Sequence, residues 1–130
     1  MIEAKELRKN NLVHKERYER EGYDVVKVLG YTETDVIFQL NAKAYEFEYD
    51  EFEYIPLTEE WLMRFGFEYF KDNDSFQYDN ELGFTIWGRL SEGFYLHVQD
   101  VDCGQSIHFV HQLQNLYFAL TGEELQLKEA

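Results

Sequence analysis

The sequence predicts an α+β fold divided near residue 56, and three observations carry that prediction. Before Pro56, the only proline, short runs rich in Val, Ile, Phe and Tyr alternate with polar residues at the period of strands. After it the spacing changes to that of helices at two places, with an alternating hairpin between them. The chain has 130 residues, 45% of them hydrophobic and 18% aromatic, which is too short for a barrel enzyme or a doubly wound one but rich enough in apolar area for a core.

Four strand-like stretches come first: Asn11 to His14, Tyr23 to Tyr31, Asp35 to Leu40 and Ala44 to Tyr54, separated by Gly22, Gly30, Thr32 to Thr34 and Asn41. Strands this short and closely spaced suggest a small barrel or strongly curled sheet, so residues 1–55 are expected to form an SH3-like β-unit. Within the last stretch Tyr45, Phe47 and Tyr49 alternate with Glu46, Glu48 and Asp50, whereas Phe52 and Tyr54 have the opposite parity. A bulge or tight turn near Asp50 and Glu51 is needed to return all five aromatics to one core.

Residues 56–130 are expected to form the second unit, packed on the first, the two together being able to fold as one domain. Leu57 to Phe67 reads as a short helix with both ends specified. Thr58 caps it, Glu59 and Glu60 suit the positive end of its dipole, Leu57 can staple to Leu62, and Gly66 supplies a left-handed stop. A weaker strand is expected near Phe67 to Phe70 or Ser75 to Tyr78. The hairpin Phe84 to Leu90 and Phe94 to Gln99, linked by Ser91, Glu92 and Gly93, follows. Phe109, Val110, Leu113, Leu116, Tyr117 and Leu120 then mark one apolar stripe of a longer helix ended by Gly122, expected to lie on the inner face of that hairpin. Glu123 to Ala130 is polar and expected to fray.

Charge narrows the function classes. Twenty-six acids against twelve bases give a formal charge of −14, with +1 on residues 1–27 and −15 on the rest. Affinity for phosphate backbones comes from Lys and Arg displacing counterions, so direct nucleic-acid binding is not expected, and an acidic membrane surface would repel the chain. Cys103 is the only cysteine and cannot form an internal disulfide, and no secretory or membrane-spanning run is evident. A cytoplasmic location is therefore expected.

Ile55 to Phe67 and Val110 to Leu125, together with the opening Glu6-Leu7-Arg8 to Val13, resemble a group of small uncharacterised proteins carried by phages and prophages of gut Bacteroides-type bacteria. These stretches cover about a third of the chain. Asn10 stands where that group is expected to have glycine, and asparagine tolerates the left-handed turn better than most residues. The resemblance implies a phage or prophage origin, hence a bacterial host cytoplasm, and carries no reaction, cofactor or catalytic residue.

Candidate sites therefore rest on chemistry alone. His97, Cys103, His108 and His111 are a loose set of zinc-ligand types without finger spacing, His97 on a strand, Cys103 in a turn, and His108 and His111 one helical turn apart. Cys103 with His108 or His111 would suit a small thiol hydrolase, yet no nucleophile elbow, oxyanion loop or orienting carboxylate accompanies them. No catalytic residue, metal ligand or cofactor is assigned. Glu46, Glu48 and Asp50 form an open acidic row that is too open for calcium; it would suit a decoy that mimics nucleic acid and inhibits a host protein. The outer face of the hairpin should display Thr85, Trp87, Arg89, Tyr95, His97 and Gln99, and aromatics mixed with Arg and His are typical of protein contacts. The leading expectation is a non-catalytic interaction module that meets a protein partner through Trp87, Arg89, Tyr95 and His97.

Overall fold

The computed structural model describes residues 6–17, 22–79, 85–90, 94–98 and 101–128, with backbone alone at 95, 96, 98 and 101–105. The fold is α+β, mostly antiparallel sheet with two helices. It divides into two units: residues 1–55 with 109–124, and residues 56–108 with 125–130.

The first unit is a five-stranded antiparallel sheet in the order β4-β3-β2-β1-β5, built from β1 (Leu12–Glu16), β2 (Tyr23–Tyr31), β3 (Asp35–Leu40), β4 (Lys43–Glu48) and β5 (Phe52–Glu53). It does not close into a barrel; β4 and β5 each have one neighbour. Alternation buries Val13, Val26, Val28, Val36, Phe38 and Phe52 with Leu7, and Phe52 meets Phe38 edge-on with ring centroids 5.3 Å apart. The slip of parity near Asp50 is resolved by a 3-10 turn at Tyr49–Glu51. Asn41 and Ala42 join β3 to β4 with φ of 52° and 66°, the two-residue turn that matches strand twist and that ordinarily favours glycine second.

The longer helix, α2 (Val110–Thr121), belongs to this first unit, not to the hairpin against which its stripe was expected to lie. The reason is polar. Gln114 Nε2 donates to the Asn10 carbonyl at 3.2 Å and its Oε1 accepts the Leu12 N–H at 2.8 Å, while Asn115 Oδ1 accepts from Asn11 Nδ2 at 2.7 Å and from Arg8 Nε at 3.1 Å. Arg8 also grips both carboxylate oxygens of Glu124, one of them at 2.9 Å, and its guanidinium lies 4.2 Å from the Phe118 ring centre. The buried face is accordingly Val110, His111, Leu113, Gln114 and Tyr117, whereas Leu120 of the predicted stripe is exposed. Asn10 takes the left-handed conformation expected of it, with φ of 77°.

In the second unit, α1 (Glu59–Arg64) starts where predicted: Thr58 Oγ1 accepts the Trp61 N–H at 3.4 Å. It also ends where predicted. Gly66 has φ of 97°, its N–H donates to the Met63 carbonyl, and the Phe67 N–H reaches the Leu62 carbonyl at 3.0 Å, the paired closure of a left-handed helix stop. A second antiparallel sheet follows in the order β10-β9-β8-β7-β6, from β6 (Glu68–Phe70), β7 (Ser75–Asp79), β8 (Thr85–Gly88), β9 (Tyr95–Val98) and β10 (Val101–Ser106). Both weaker strands therefore form, paired with each other across the polar turn 71–74. Strand β10 was not predicted, and it places Cys103 in a strand instead of a turn. Leu62, Phe65, Phe67, Phe76, Ile86 and Phe94 are buried. The described part of the segment expected to fray, residues 123–128, is packed: Leu125 is buried, the Lys128 N–H donates to the Arg64 carbonyl at 2.6 Å, and the Lys128 stem crosses Gly66.

Two backbone positions make opposed predictions for one measurement, the urea unfolding midpoint. Ala42→Gly relieves a left-handed alanine and should raise stability by about 0.5–1 kcal/mol, the relief exceeding the entropy that glycine adds to the unfolded chain. Gly66→Val places a β-branched residue at φ of 97°, with its Cβ 2.7 Å from Lys128 Cε, and should lower it. The expected loss is more than about 1 kcal/mol.

Candidate functional site

The outer face of the second sheet collects most of the predicted contact residues. Register pairs Glu68 with Gln77, Gln77 with Trp87, Trp87 with His97 and His97 with Asp102, so one row of positions crosses all five strands on the side opposite buried Ile86. At its centre the Trp87 and His97 rings stack with centroids 4.2 Å apart and planes 12° from parallel. The Arg89 guanidinium lies 5.6 Å from the Trp87 ring centre, and its Nε donates to the Asn73 carbonyl at 2.7 Å, which fixes the cation at the rim of the indole. Trp87, Arg89 and His97 are all half-buried. Thr85 is on the same face and donates to Asp79 at 2.8 Å. The side chain of Tyr95, and Gln99 altogether, lie outside the described residues.

Sequence reasoning missed Glu68 and Gln77, because the strands that carry them were left as alternatives. The signal was present: Tyr69 and Phe76 meet across the turn with centroids 5.0 Å apart and planes tilted by 45°, a cross-strand aromatic pair readable from alternation on both sides of 71–74. Beside the row, Gly66, Glu68, Phe70, Gln77, Tyr78, Asp79 and Lys128 line a cleft of about 180 Å³. Acid, amide and aromatic groups thus surround the stacked rings. Such a surface offers a rigid ring pair for stacking and several hydrogen-bond partners around it.

The acidic row is changed in composition. Glu46 and Glu48 project from the fully exposed β4, but Asp50 sits in the 3-10 turn and does not continue the row. Asp35 replaces it, directly opposite Glu48 on β3. The hydrogen-bonding contact with Asp35, with some desolvation and like-charge repulsion, holds the Glu46 carboxyl above its usual range.

The thiol and histidine readings fare differently. The Cys103 side chain lies outside the described residues. His108 is exposed and precedes α2, so it does not share a helical face with His111. His111 is buried in the first unit, its ring stacked on Tyr54 at 4.2 Å, with neither ring nitrogen hydrogen-bonded and Nε2 3.7 Å from a Glu6 oxygen. The other Glu6 oxygen accepts the Tyr54 hydroxyl at 2.9 Å. Among the described residues no group of three or more His, Cys, Asp or Glu side chains is placed to hold a metal ion, and no helix is long and apolar enough to cross a membrane. Compared with protein-family models, curated proteins and solved structures, the chain matches none.

Burial lowers the pKa of His111 below its ordinary value, an effect that Glu6 only partly offsets. An unfolded imidazole titrates near 6.5. Above that pH both states are neutral and this group has no influence; below it the unfolded chain takes up a proton that the folded chain resists. Stability should therefore fall between pH 7 and 5, by up to about 1.4 kcal/mol per pH unit for this group. His111→Phe keeps a ring on Tyr54 and should flatten that slope, leaving the part due to His14, which burial also depresses. Urea midpoints at pH 7, 6 and 5 for both proteins check it, and an unchanged slope would assign the dependence elsewhere.

Proposed function

We propose that this chain is a non-catalytic protein-interaction module, a small acidic protein of phage or prophage origin that meets a host protein in the bacterial cytoplasm through the Trp87 face. The observation that carries this reading is the half-buried Trp87–His97 stack, with Arg89 anchored beside it, on a sheet face whose reverse side supplies buried Ile86. A ring held flat in advance by its neighbour loses little entropy when a partner covers it. Trp and Arg are also the side chains on which binding energy most often concentrates.

The origin is supported by the two ordered stretches, Ile55 to Phe67 and Val110 to Leu125, that resemble the phage-borne group. An SH3-like reading of the first unit is supported by its strand order and by the 3-10 turn between β4 and β5. In this reading the second unit carries the contact through the Trp87 face. Fold-level likeness alone assigns no partner.

Affinity capture from a Bacteroides-type lysate, followed by titration of the purified partner, tests the reading. Trp87→Ala should cost at least about 2 kcal/mol of affinity, roughly thirtyfold in Kd, with Arg89→Ala weaker in the same direction. A partner that binds both variants as tightly as the parent chain would place recognition on another surface.

A further inference from the structure

Strand β4 is the outer strand of the first sheet, and all six of its residues are exposed. Among the described residues its backbone pairs only with β3, in unbroken register from Lys43 to Glu48, and the groups along its other side have no strand beside them there. Sheet edges are ordinarily blunted by proline, a bulge, brevity or charge; β4 has no proline and no bulge and is six residues long, so its only protection is the charge of Lys43, Glu46 and Glu48, which deters a like-charged strand and not a basic one.

The two faces of this edge differ in kind. On one, Tyr45 and Phe47 are about 40% exposed and border a cleft of about 180 Å³ floored by Phe38 and Leu40, with the Lys15 ammonium 4.5 Å from the Phe47 ring centre. On the other, Glu46 and Glu48 stand beside Asp35, three carboxylates that form no ion pair among the described residues. Like charges facing one another across a ladder are destabilising, and a cation placed between them would relieve the repulsion. Antiparallel pairing of two β4 strands centred on Glu46 or Phe47 would oppose carboxylate to carboxylate, and centred on Tyr45 would face Glu46 and Glu48 with alanines, so a second copy of this chain neutralises the acidic row in none of these registers, whereas a basic segment does.

We propose that β4 is a docking edge for an extended segment of another protein in which basic and apolar residues alternate. The segment adds a sixth strand: its main chain pairs with β4, its apolar side chains fall on the Tyr45 and Phe47 side, and its basic side chains meet Glu46 and Glu48. This site is in the first unit and does not depend on the Trp87 face.

The probe is a dye-labelled eight-residue peptide of alternating lysine and valine, titrated with the full chain and followed by fluorescence anisotropy, with amide shifts at 43–48 read by NMR. A peptide of the same composition with four lysines followed by four valines carries equal charge without the alternation and should bind at least tenfold more weakly. The double variant Glu46→Lys, Glu48→Lys should lose at least tenfold for the lysine peptide and gain affinity for an alternating glutamate and valine peptide. The same reversals at Glu60 and Asp72, both exposed, change net charge equally and should cost no more than about threefold. Equal binding of the blocked peptide, or equal losses from the two double variants, would reduce the interaction to general charge attraction and overturn the proposal. Folding of each variant is checked by circular dichroism.

Discussion

The first unit depends on hydrogen bonds that α2 makes to a stretch of chain with little regular structure of its own. Residues 6–11 precede β1, and the backbone and side-chain groups there find partners on Gln114 and Asn115, with Arg8 locked between Asn115 and Glu124. Asn11 and Gln114 are fully or almost fully buried, so replacing Gln114 or Asn115 by an apolar residue, with the helix still in place, would leave polar atoms shut away from water without a partner, at about 1–3 kcal/mol each. Apolar burial is non-directional and would accept many partners for the stripe of α2. The amides accept one. Direction, supplied by polar groups, selects the helix position that apolar area alone leaves open.

That division explains what could be read from the sequence. Local rules sufficed where the determinants lie within a few residues: β2 and β3 run over the predicted residues, α1 has its predicted cap and stop, Asn10 turns left-handed, and the parity slip beside Asp50 became a 3-10 turn. They failed where a distant partner decides. Gln114 and Asn115 read as the solvated side of a helix, and nothing near them in sequence reveals that they clasp residues about a hundred positions earlier. Strand β10, Val-Asp-Cys-Gly-Gln-Ser, has weak strand preference and owes its state to pairing with β9. For the candidate face, Trp87, Arg89 and His97 were visible from alternation alone. Glu68 and Gln77 were not, since they join the row only through cross-strand register.

The two exposed surfaces illustrate different ways for a sheet to present chemistry. The Trp87 face holds side chains already stacked and anchored, so under the proposed reading its selectivity would lie in shape and ring chemistry. The β4 edge offers main chain, which any extended peptide can match, and leaves discrimination to the carboxylates on one side and the aromatics on the other. A surface of the first kind is altered by one truncated ring; the second requires changes of charge or of strand geometry.

The chain passes from the first unit to the second after Ile55, returns at Phe109, and crosses again after Glu124. The ends of the inserted stretch are close: the Leu57 N–H donates to the His108 carbonyl at 2.9 Å, so the fifty residues between them form a nearly closed loop. During synthesis from the N-terminus the five strands of the first sheet must emerge long before α2, with the Asn11 side-chain N–H groups and the Asn10 carbonyl still without the helix partners they will take. The second unit likewise awaits Leu125 and Lys128. Since the entropy of closing a loop grows only slowly with its length, this interleaving costs little at equilibrium. Its effect is on timing: each half is completed only once residues 109–128 have emerged, so a chain cut before residue 109 leaves both halves unfinished together.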